Sequence, residues 1–83
     1  MFEIEWTQIA LDQLAEIWLA STDRNRVTVA NHNAESSLRR NPFESGESRL
    51  SSVSRILFEP PLYFEFDIVA DDRKVKILRV GSV

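Results

Sequence analysis

The chain has 83 residues, enough for one domain, and no cysteine, which excludes disulfides, thiolate metal sites and cysteine nucleophiles. Its net charge is −3. Non-specific affinity for nucleic acid comes mainly from cations that neutralise phosphates, so any binding of nucleic acid would need a local basic patch. No apolar run is long enough to span a membrane and no signal-peptide pattern opens the sequence, so we expect a cytoplasmic protein without membrane contact.

The first half of the sequence predicts one short strand and two helices. Residues 2–6 alternate apolar and acidic side chains, the period of a half-buried strand. Thr7 can cap the helix that follows, whose apolar residues recur at helical spacing and which ends near Ala20. A second helix is predicted over Arg24–Arg40, and Asn41-Pro42 stops it. Two helices joined by so few residues form an antiparallel hairpin.

The second half predicts a loop and then three strands. The loop covers residues 41–48, and the strands lie near residues 49–58, 62–69 and 74–80. Folding the last strand back on the one before it places opposite each other the pairs Phe66 and Ile77, Ile68 and Val75, and Asp67 and Lys76. The apolar pairs then share one face and the charged pair takes the other, as a stable register requires.

Together these elements predict a single α+β domain over residues 1–83. Their order is strand, helix, helix, strand, strand, strand. The helical hairpin should cover one face of a mainly antiparallel four-stranded sheet, giving a two-layer sandwich. A chain of this length supplies no further layer, so the opposite face of the sheet is expected to stay open.

The predicted open face mixes apolar side chains with charges of both signs. With Ile56 and Phe58 assigned to the helix side, it comprises Val53, Arg55, Leu57, Tyr63, Glu65, Asp67, Val69, Lys74, Lys76, Leu78 and Val80. Exposed apolar surface rimmed by polar groups is typical of a protein contact site. We assign partner binding to Val53, Leu57, Glu65, Asp67, Lys76, Leu78 and Val80. Coverage by the chain's own loop or by a symmetric homodimer is the alternative that the pattern leaves open.

A series of short motifs runs along nearly the whole chain. They are Trp6-Thr7, Leu14, Ile17-Trp18, Leu38-x-x-Asn41-Pro42, Gly46-Glu47-Ser48-Arg49, Arg55-Ile56-Leu57-Phe58-x-Pro60-Pro61-Leu62 and Asp72-Arg73-x-Val75-x-Ile77-Leu78-Arg79-Val80. In this order, and on these predicted elements, the set resembles the RelE/ParE toxin superfamily of bacterial type II toxin–antitoxin systems, the plasmid-stabilisation proteins.

The resemblance implies a toxin fold held neutral by a cognate antitoxin, a disordered segment that wraps the toxin and folds on binding. Some members cleave messenger RNA in the ribosome without a metal and others inhibit DNA gyrase, so it implies one of these targets and no cofactor. Ribonuclease members carry an arginine near the start of the third strand, where this sequence has Tyr63. They also carry basic and tyrosine groups after the fourth strand that have no counterpart here. Three functions stay open: an antitoxin-bound toxin, an active nuclease or gyrase inhibitor, and a non-toxic interaction domain.

Three residues are candidates for catalysis, namely Arg55, Tyr63 and Arg79. Metal-free RNA cleavage needs cations for the phosphorane charge and groups that move protons. Arg55 suits a phosphate contact, with a cross-strand pair to Glu65 as the structural alternative. Tyr63 can orient or protonate a substrate, or serve as an aromatic contact at an interface. Alternation along the last strand places Arg79 on the helix side. There it is expected either to lie past the edge of the core or to pair with a carboxylate. With one histidine and no cysteine, no metal site is predicted.

Overall fold

The computed structural model describes residues 1–45, 47–48 and 54–83. Its elements are β1 (Glu3–Trp6), α1 (Gln8–Ala20), α2 (Arg24–Arg40), α3 (Pro42–Ser45), β2 (Glu47–Ser48), β3 (Ser54–Glu59), β4 (Leu62–Val69) and β5 (Lys74–Ser82). The described strands form one sheet in the order β1-β5-β4-β3-β2, in which β1 runs parallel to β5 and the other pairs are antiparallel. The predicted α+β fold is confirmed. The expected loop over residues 41–48 was wrong in detail, because it contains α3 and the two-residue strand β2.

The two long helices begin at side-chain caps, and the hairpin that they form packs one side against the sheet. Thr7 accepts a hydrogen bond from the Ala10 amide at 3.2 Å, and Asp23 accepts one from the Arg26 amide at 3.1 Å. The buried residues of α2 are Val27, Ala30, Ala34 and Leu38, all predicted for this face. Three of these four side chains are small or β-branched, so α2 lies close to the sheet.

The core lies between the hairpin and one face of the central strands. Its largest members are Phe64, Phe66, Leu38, Leu62, Ile77 and Val75, each fully buried. Burying a side chain of this size contributes roughly 1.5–3 kcal/mol relative to exposure. Alternate residues of β4 are buried on this side, and no residue between them is, so the helices cover one face of the sheet and no described element covers the other.

A hydrogen-bonded carboxylate ties β1 to α2. The Glu35 carboxylate accepts hydrogen bonds from the Trp6 indole and from the side-chain amide of Asn31, each at 3.3 Å. It also lies 3.6 Å from the Arg39 guanidinium. The Trp6 ring also meets Phe64 edge-on, with centroids 6.4 Å apart. These contacts fix the orientation of the first strand, whose backbone pairs with β5 alone among the described strands.

The β4–β5 hairpin has the predicted register near its turn and then departs from it. Phe66 pairs with Ile77, Ile68 with Val75 and Asp67 with Lys76, which confirms the three predicted pairs. The register then shifts between Glu65 and Phe66, and Glu65 pairs with Arg79. Leu78 is therefore the extra residue of a β-bulge, which reverses the inside–outside alternation of the rest of β5.

The start of α1 holds the bulge in place. The Thr7 hydroxyl lies 2.8 Å from the Ile77 carbonyl and 3.3 Å from the Leu78 carbonyl, and the Thr7 amide donates to the former at 3.2 Å. Beyond the bulge, the Val80 amide donates to the Gln13 side chain at 2.8 Å. Side chains of α1 thus replace β1 as the neighbour of β5 where the parallel pairing ends. Within the described residues, no helix is both long enough and apolar enough to cross a membrane.

Candidate functional site

The register between β3 and β4 decides which side chains of β3 reach the open face. A two-residue turn at Pro60-Pro61 pairs Glu59 with Leu62. Continuing along the strands, Phe58 pairs with Tyr63 and Ile56 with Glu65. Residues opposite each other in an antiparallel pair point to the same face. Because Tyr63 and Glu65 alternate with the buried residues of β4, Phe58 and Ile56 lie on the open face.

The predicted orientation of Arg55 and Leu57 was therefore wrong. Arg55 pairs with Phe66, and Leu57 pairs with Phe64 and packs against the core. The Arg55 guanidinium carbon lies 5.8 Å from the centre of the Phe43 ring, on the helix side of the sheet. The alternative pair of Arg55 with Glu65 was wrong for the same reason, since a one-residue slip in register exchanges the two faces of a strand.

The predicted orientation of Arg79 and Val80 was wrong because of the bulge. Val80 pairs with Phe64 and is 4% exposed, so it belongs to the core and is not available to a partner. Arg79 pairs with Glu65 and is exposed, on the open face instead of the helix side. Leu78 is half-buried at the bulge. Val53 lies outside the described residues.

One half of the open face is an aromatic patch, formed by Ile56, Phe58 and Tyr63. The Phe58 and Tyr63 rings lie 6.4 Å apart at an angle of 48°, and Phe58 is 47% exposed. The Tyr63 ring lies across Gly81, the residue opposite it on β5, and occupies the space that a Cβ atom there would fill. An aromatic ring over a strand glycine covers backbone that would otherwise be exposed. The patch thus presents an exposed aromatic surface with two rings inclined to each other.

The other half of the open face carries paired charges. Asp67 accepts a hydrogen bond from the Ser54 hydroxyl at 2.7 Å. Lys76, directly opposite Asp67, forms an ion pair with Glu5 of β1 at 3.7 Å. The carboxylate and the ammonium group are both about half exposed, so the pair contributes little to stability and remains accessible.

The structure does not bring the three predicted catalytic residues onto one surface. Tyr63 and Arg79 lie on the open face of neighbouring strands, because Tyr63 pairs with Gly81 and Arg79 is two residues before it. Arg55 lies on the opposite face. The open face therefore offers the Arg79 cation and the Tyr63 phenol without the arginine that was predicted to contact phosphate. In the described part of the chain, no group of three or more acidic or histidine side chains could hold a metal ion.

Sequence reasoning missed Ile56, Phe58 and Gly81 as members of the open face. The signal for the first two is the two-residue connection Pro60-Pro61, which by itself pairs residue 59 with residue 62. The signal for Gly81 is a glycine in a strand, which often marks close approach of another group. Of the predicted partner-binding residues, the structure places Glu65, Asp67 and Lys76 on the open face, and their role stays a prediction.

Solved structures resemble this architecture over essentially its whole length. One is the RelBE2 toxin–antitoxin complex of Mycobacterium tuberculosis, with 18% identity and a TM-score of 0.80 over 99% of this chain and 98% of that one. Another is the chromosomal ParDE system of P. aeruginosa, with 17% identity and a TM-score of 0.68 over 100% and 97%. The chain has the fold of the RelE and ParE toxins.

The isolated E. coli RelE toxin shares this RelE/ParE fold, with 14% identity and a TM-score of 0.71 over 100% of this chain and 85% of the other. No protein-family model and no curated protein sequence matches the chain. At these identities the likeness establishes the fold alone.

Proposed function

We propose that this protein is the toxin component of a type II toxin–antitoxin system, neutralised in the cytoplasm by a cognate antitoxin that covers the open face. The observation that carries the proposal is the aromatic patch, because Phe58 is 47% exposed beside Tyr63 on a sheet face that no described helix covers. The likeness to RelBE2 of M. tuberculosis and to the ParDE system of P. aeruginosa, both toxin–antitoxin systems, supports it.

The chemistry of the patch favours a protein partner over a nucleic acid. Aromatic side chains are enriched at the centres of protein interfaces, where they bury much area at a small entropy cost. The neighbouring charges of the face are mixed, with Glu65 and Asp67 beside Lys76 and Arg79. Such a surface has no excess of cations with which to release counterions from a phosphate backbone. An antitoxin segment with an apolar anchor flanked by both kinds of charge would complement it.

The alternative of a working metal-free nuclease is less well supported by the geometry. Phosphate contact was assigned to Arg55, whose guanidinium lies on the helix side beside Phe43. Tyr63 covers Gly81 and packs against Phe58, which suits an interface residue. Toxicity through gyrase or another protein target needs no such cation and remains compatible with the open face.

Induced expression of the chain, alone and with the adjacent reading frame, tests the proposal. Growth arrest by the chain alone, relieved when the neighbouring protein is co-expressed and co-purifies with it, is the expected result. Absence of arrest together with absence of co-purification would contradict it. Arg55→Ala separates the alternatives, because arrest that survives this substitution excludes a nuclease in which Arg55 contacts the phosphate.

A pair of matched variants locates the antitoxin site. Phe58→Glu places a carboxylate in the aromatic patch and should weaken antitoxin capture at least tenfold, since loss of a hot-spot residue costs about 2 kcal/mol or more. Ile9→Glu makes the same charge change at a residue of α1 that is 63% exposed, and should leave capture unchanged. Equal loss in both variants would place the antitoxin elsewhere.

A further inference from the structure

Arg79 is a cation at the border of the aromatic patch. The bulge at Leu78 reverses the alternation of β5 and so places the Arg79 side chain on the open face, where it is exposed. Gly81, two residues further along the strand, lies under the Tyr63 ring. Two residues of a strand span about 6.5 Å. A molecule that covers Tyr63 therefore comes within reach of the Arg79 guanidinium.

Arg79 has no ionic partner within the described part of the chain. The register places it opposite Glu65, but the two side chains form no ion pair. Lys76, on the same face of the same strand, is already 3.7 Å from the Glu5 carboxylate. An incoming anion thus meets at Arg79 a guanidinium that no described carboxylate holds.

A partner that packs on the patch must supply a counter-charge to Arg79. Covering the open face removes water from the guanidinium, and a cation that loses its water without gaining an acceptor is costly to bury. A carboxylate suits this position best, because it accepts two parallel hydrogen bonds from a guanidinium. The partner segment should therefore be acidic beside its apolar anchor.

A phosphate chain is the other anion that an arginine binds, and the surroundings of Arg79 disfavour it. Glu65 and Asp67 lie on the same face of the neighbouring strand. A nucleic acid brings one negative charge with every nucleotide, and its affinity depends on several cations that neutralise them. A protein segment brings a single carboxylate to Arg79 and need not extend the charge over β4.

The distance from the patch to Arg79 limits the spacing in the partner. On one side of an extended segment, residues i and i+2 are about 6.5 Å apart. On one side of a helix, residues i and i+3 or i+4 are about 5–6 Å apart. Both spacings match the separation of Gly81 and Arg79 along β5. The segment should thus carry an apolar and an acidic residue at one of these spacings.

We infer that Arg79 binds a carboxylate of the antitoxin, carried on the same side of its segment as the apolar residue that packs on the aromatic patch. This inference rests on the proposed function and adds to it the chemistry of the partner. The bulge at Leu78 makes the contact possible, since uninterrupted alternation would turn Arg79 to the helix side.

The test measures the Kd between the full chain and the protein encoded by the adjacent reading frame. Arg79→Gln should weaken capture about tenfold and Arg79→Glu more strongly, as expected when one partner of a desolvated charge pair is lost. Arg79→Lys keeps the charge without the paired donors and should fall between Arg79→Gln and the unmodified chain. Arg26→Glu makes the same charge change as Arg79→Glu at an exposed residue of α2 and should leave capture unchanged.

Two further variants separate a contact with the antitoxin from a contact within the chain. Glu65→Gln should strengthen capture about twofold to threefold, because it removes a like charge beside the incoming carboxylate. In the antitoxin, lysine in place of the pairing aspartate or glutamate should restore capture by Arg79→Glu. A double-mutant cycle over these two changes measures the coupling.

The outcomes distinguish this inference from the proposed function. If Phe58→Glu prevents capture while both Arg79 variants behave like Arg26→Glu, the inference is wrong and the proposed function stands. Equal losses in Glu65→Gln and Arg79→Gln would show that these two side chains pair with each other in the complex, which also overturns it. A uridine oligonucleotide whose binding is lost in Arg79→Glu, with antitoxin capture intact, would assign Arg79 to phosphate instead. If the unmodified chain captures no protein, both fail.

Discussion

The ring of Tyr63 lies over Gly81, its partner in the neighbouring strand. A Cβ atom at Gly81 would overlap the outer edge of that ring, so the glycine is what allows the tyrosine to lie against β5. The same ring lies beside Phe58, with the two ring centres 6.4 Å apart. The shape of the aromatic patch therefore depends on a residue that has no side chain.

We expect Gly81→Ala to destabilise the protein by roughly 1–3 kcal/mol, because the methyl group forces the Tyr63 ring away from the strand. In a Tyr63→Ala background the same change should stabilise by about 0.5–1 kcal/mol, since alanine loses less entropy than glycine in a strand. A double-mutant cycle by urea denaturation measures the coupling. Equal costs in both backgrounds would show that the ring does not occupy that space.

Thr7→Ala should cost about 1–2 kcal/mol of stability. It removes the cap of α1 and the hydroxyl that reaches the carbonyls on both sides of the bulge. Thr7→Ser keeps the hydroxyl and should recover most of the loss. Thr22→Ala, at an exposed residue between α1 and α2, is the control and should change the free energy of unfolding by less than about 0.5 kcal/mol.

The bulge at Leu78 predicts opposite outcomes for two neighbouring residues. Val80→Ala should cost about 2 kcal/mol, because Val80 is 4% exposed among core residues. Arg79→Ala, at an exposed residue, should stay within about 0.5 kcal/mol. Denaturation of both variants under one condition compares them. A larger loss at Arg79 than at Val80 would mean that β5 alternates without interruption and has no bulge.

Arg24→Ala should loosen the turn of the helical hairpin and cost about 1 kcal/mol. The Arg24 guanidinium donates to the Trp18 and Leu19 carbonyls at 3.2 and 3.1 Å and lies 4.7 Å from the centre of the Trp18 ring. These carbonyls lie in the last turn of α1, which attracts a cation. Thermal unfolding followed by tryptophan fluorescence provides the measurement.

Two companion variants make the Arg24 result specific. Arg24→Lys keeps the charge but not the planar donor geometry and should recover only part of the loss. Arg26→Ala removes an exposed arginine two residues further into the same helix turn and should have little effect. If Arg26→Ala costs as much as Arg24→Ala, then total charge and not the contact to α1 is responsible.

Much of the fold could be predicted because its signals are local. The α2 helix has an acidic cap before it and Asn41-Pro42 after it, and the structure ends it at the predicted residue. The β4–β5 register near the turn follows from two apolar pairs and one charged pair that agree on the faces. Each of these inferences depends on residues close in sequence or on a short turn.

The predictions that failed concerned which face of the sheet the side chains of a strand point to. The face of β3 is set by a single-residue difference in register, and apolar residues at both Ile56 and Leu57 gave no alternation from which to read it. The face of Arg79 depends on the bulge, which interrupts the period of two at Ile77-Leu78. Adjacent apolar residues mark both places. The Pro60-Pro61 turn decides which residues of β3 face the core, and the start of α1 holds the bulge that decides it in β5.

The parallel pairing of β1 with β5 has a consequence for how the protein is made. Residue 3 pairs with residue 74, so the first strand to leave the ribosome has no partner among the described strands until β5 has been synthesised. Contacts this distant in sequence slow folding, because the intervening chain must be ordered before they form. Nascent chains that stop before β5 should therefore expose Ile4 and Trp6 to chaperones and proteases, and the sheet should be completed only when translation has passed that strand.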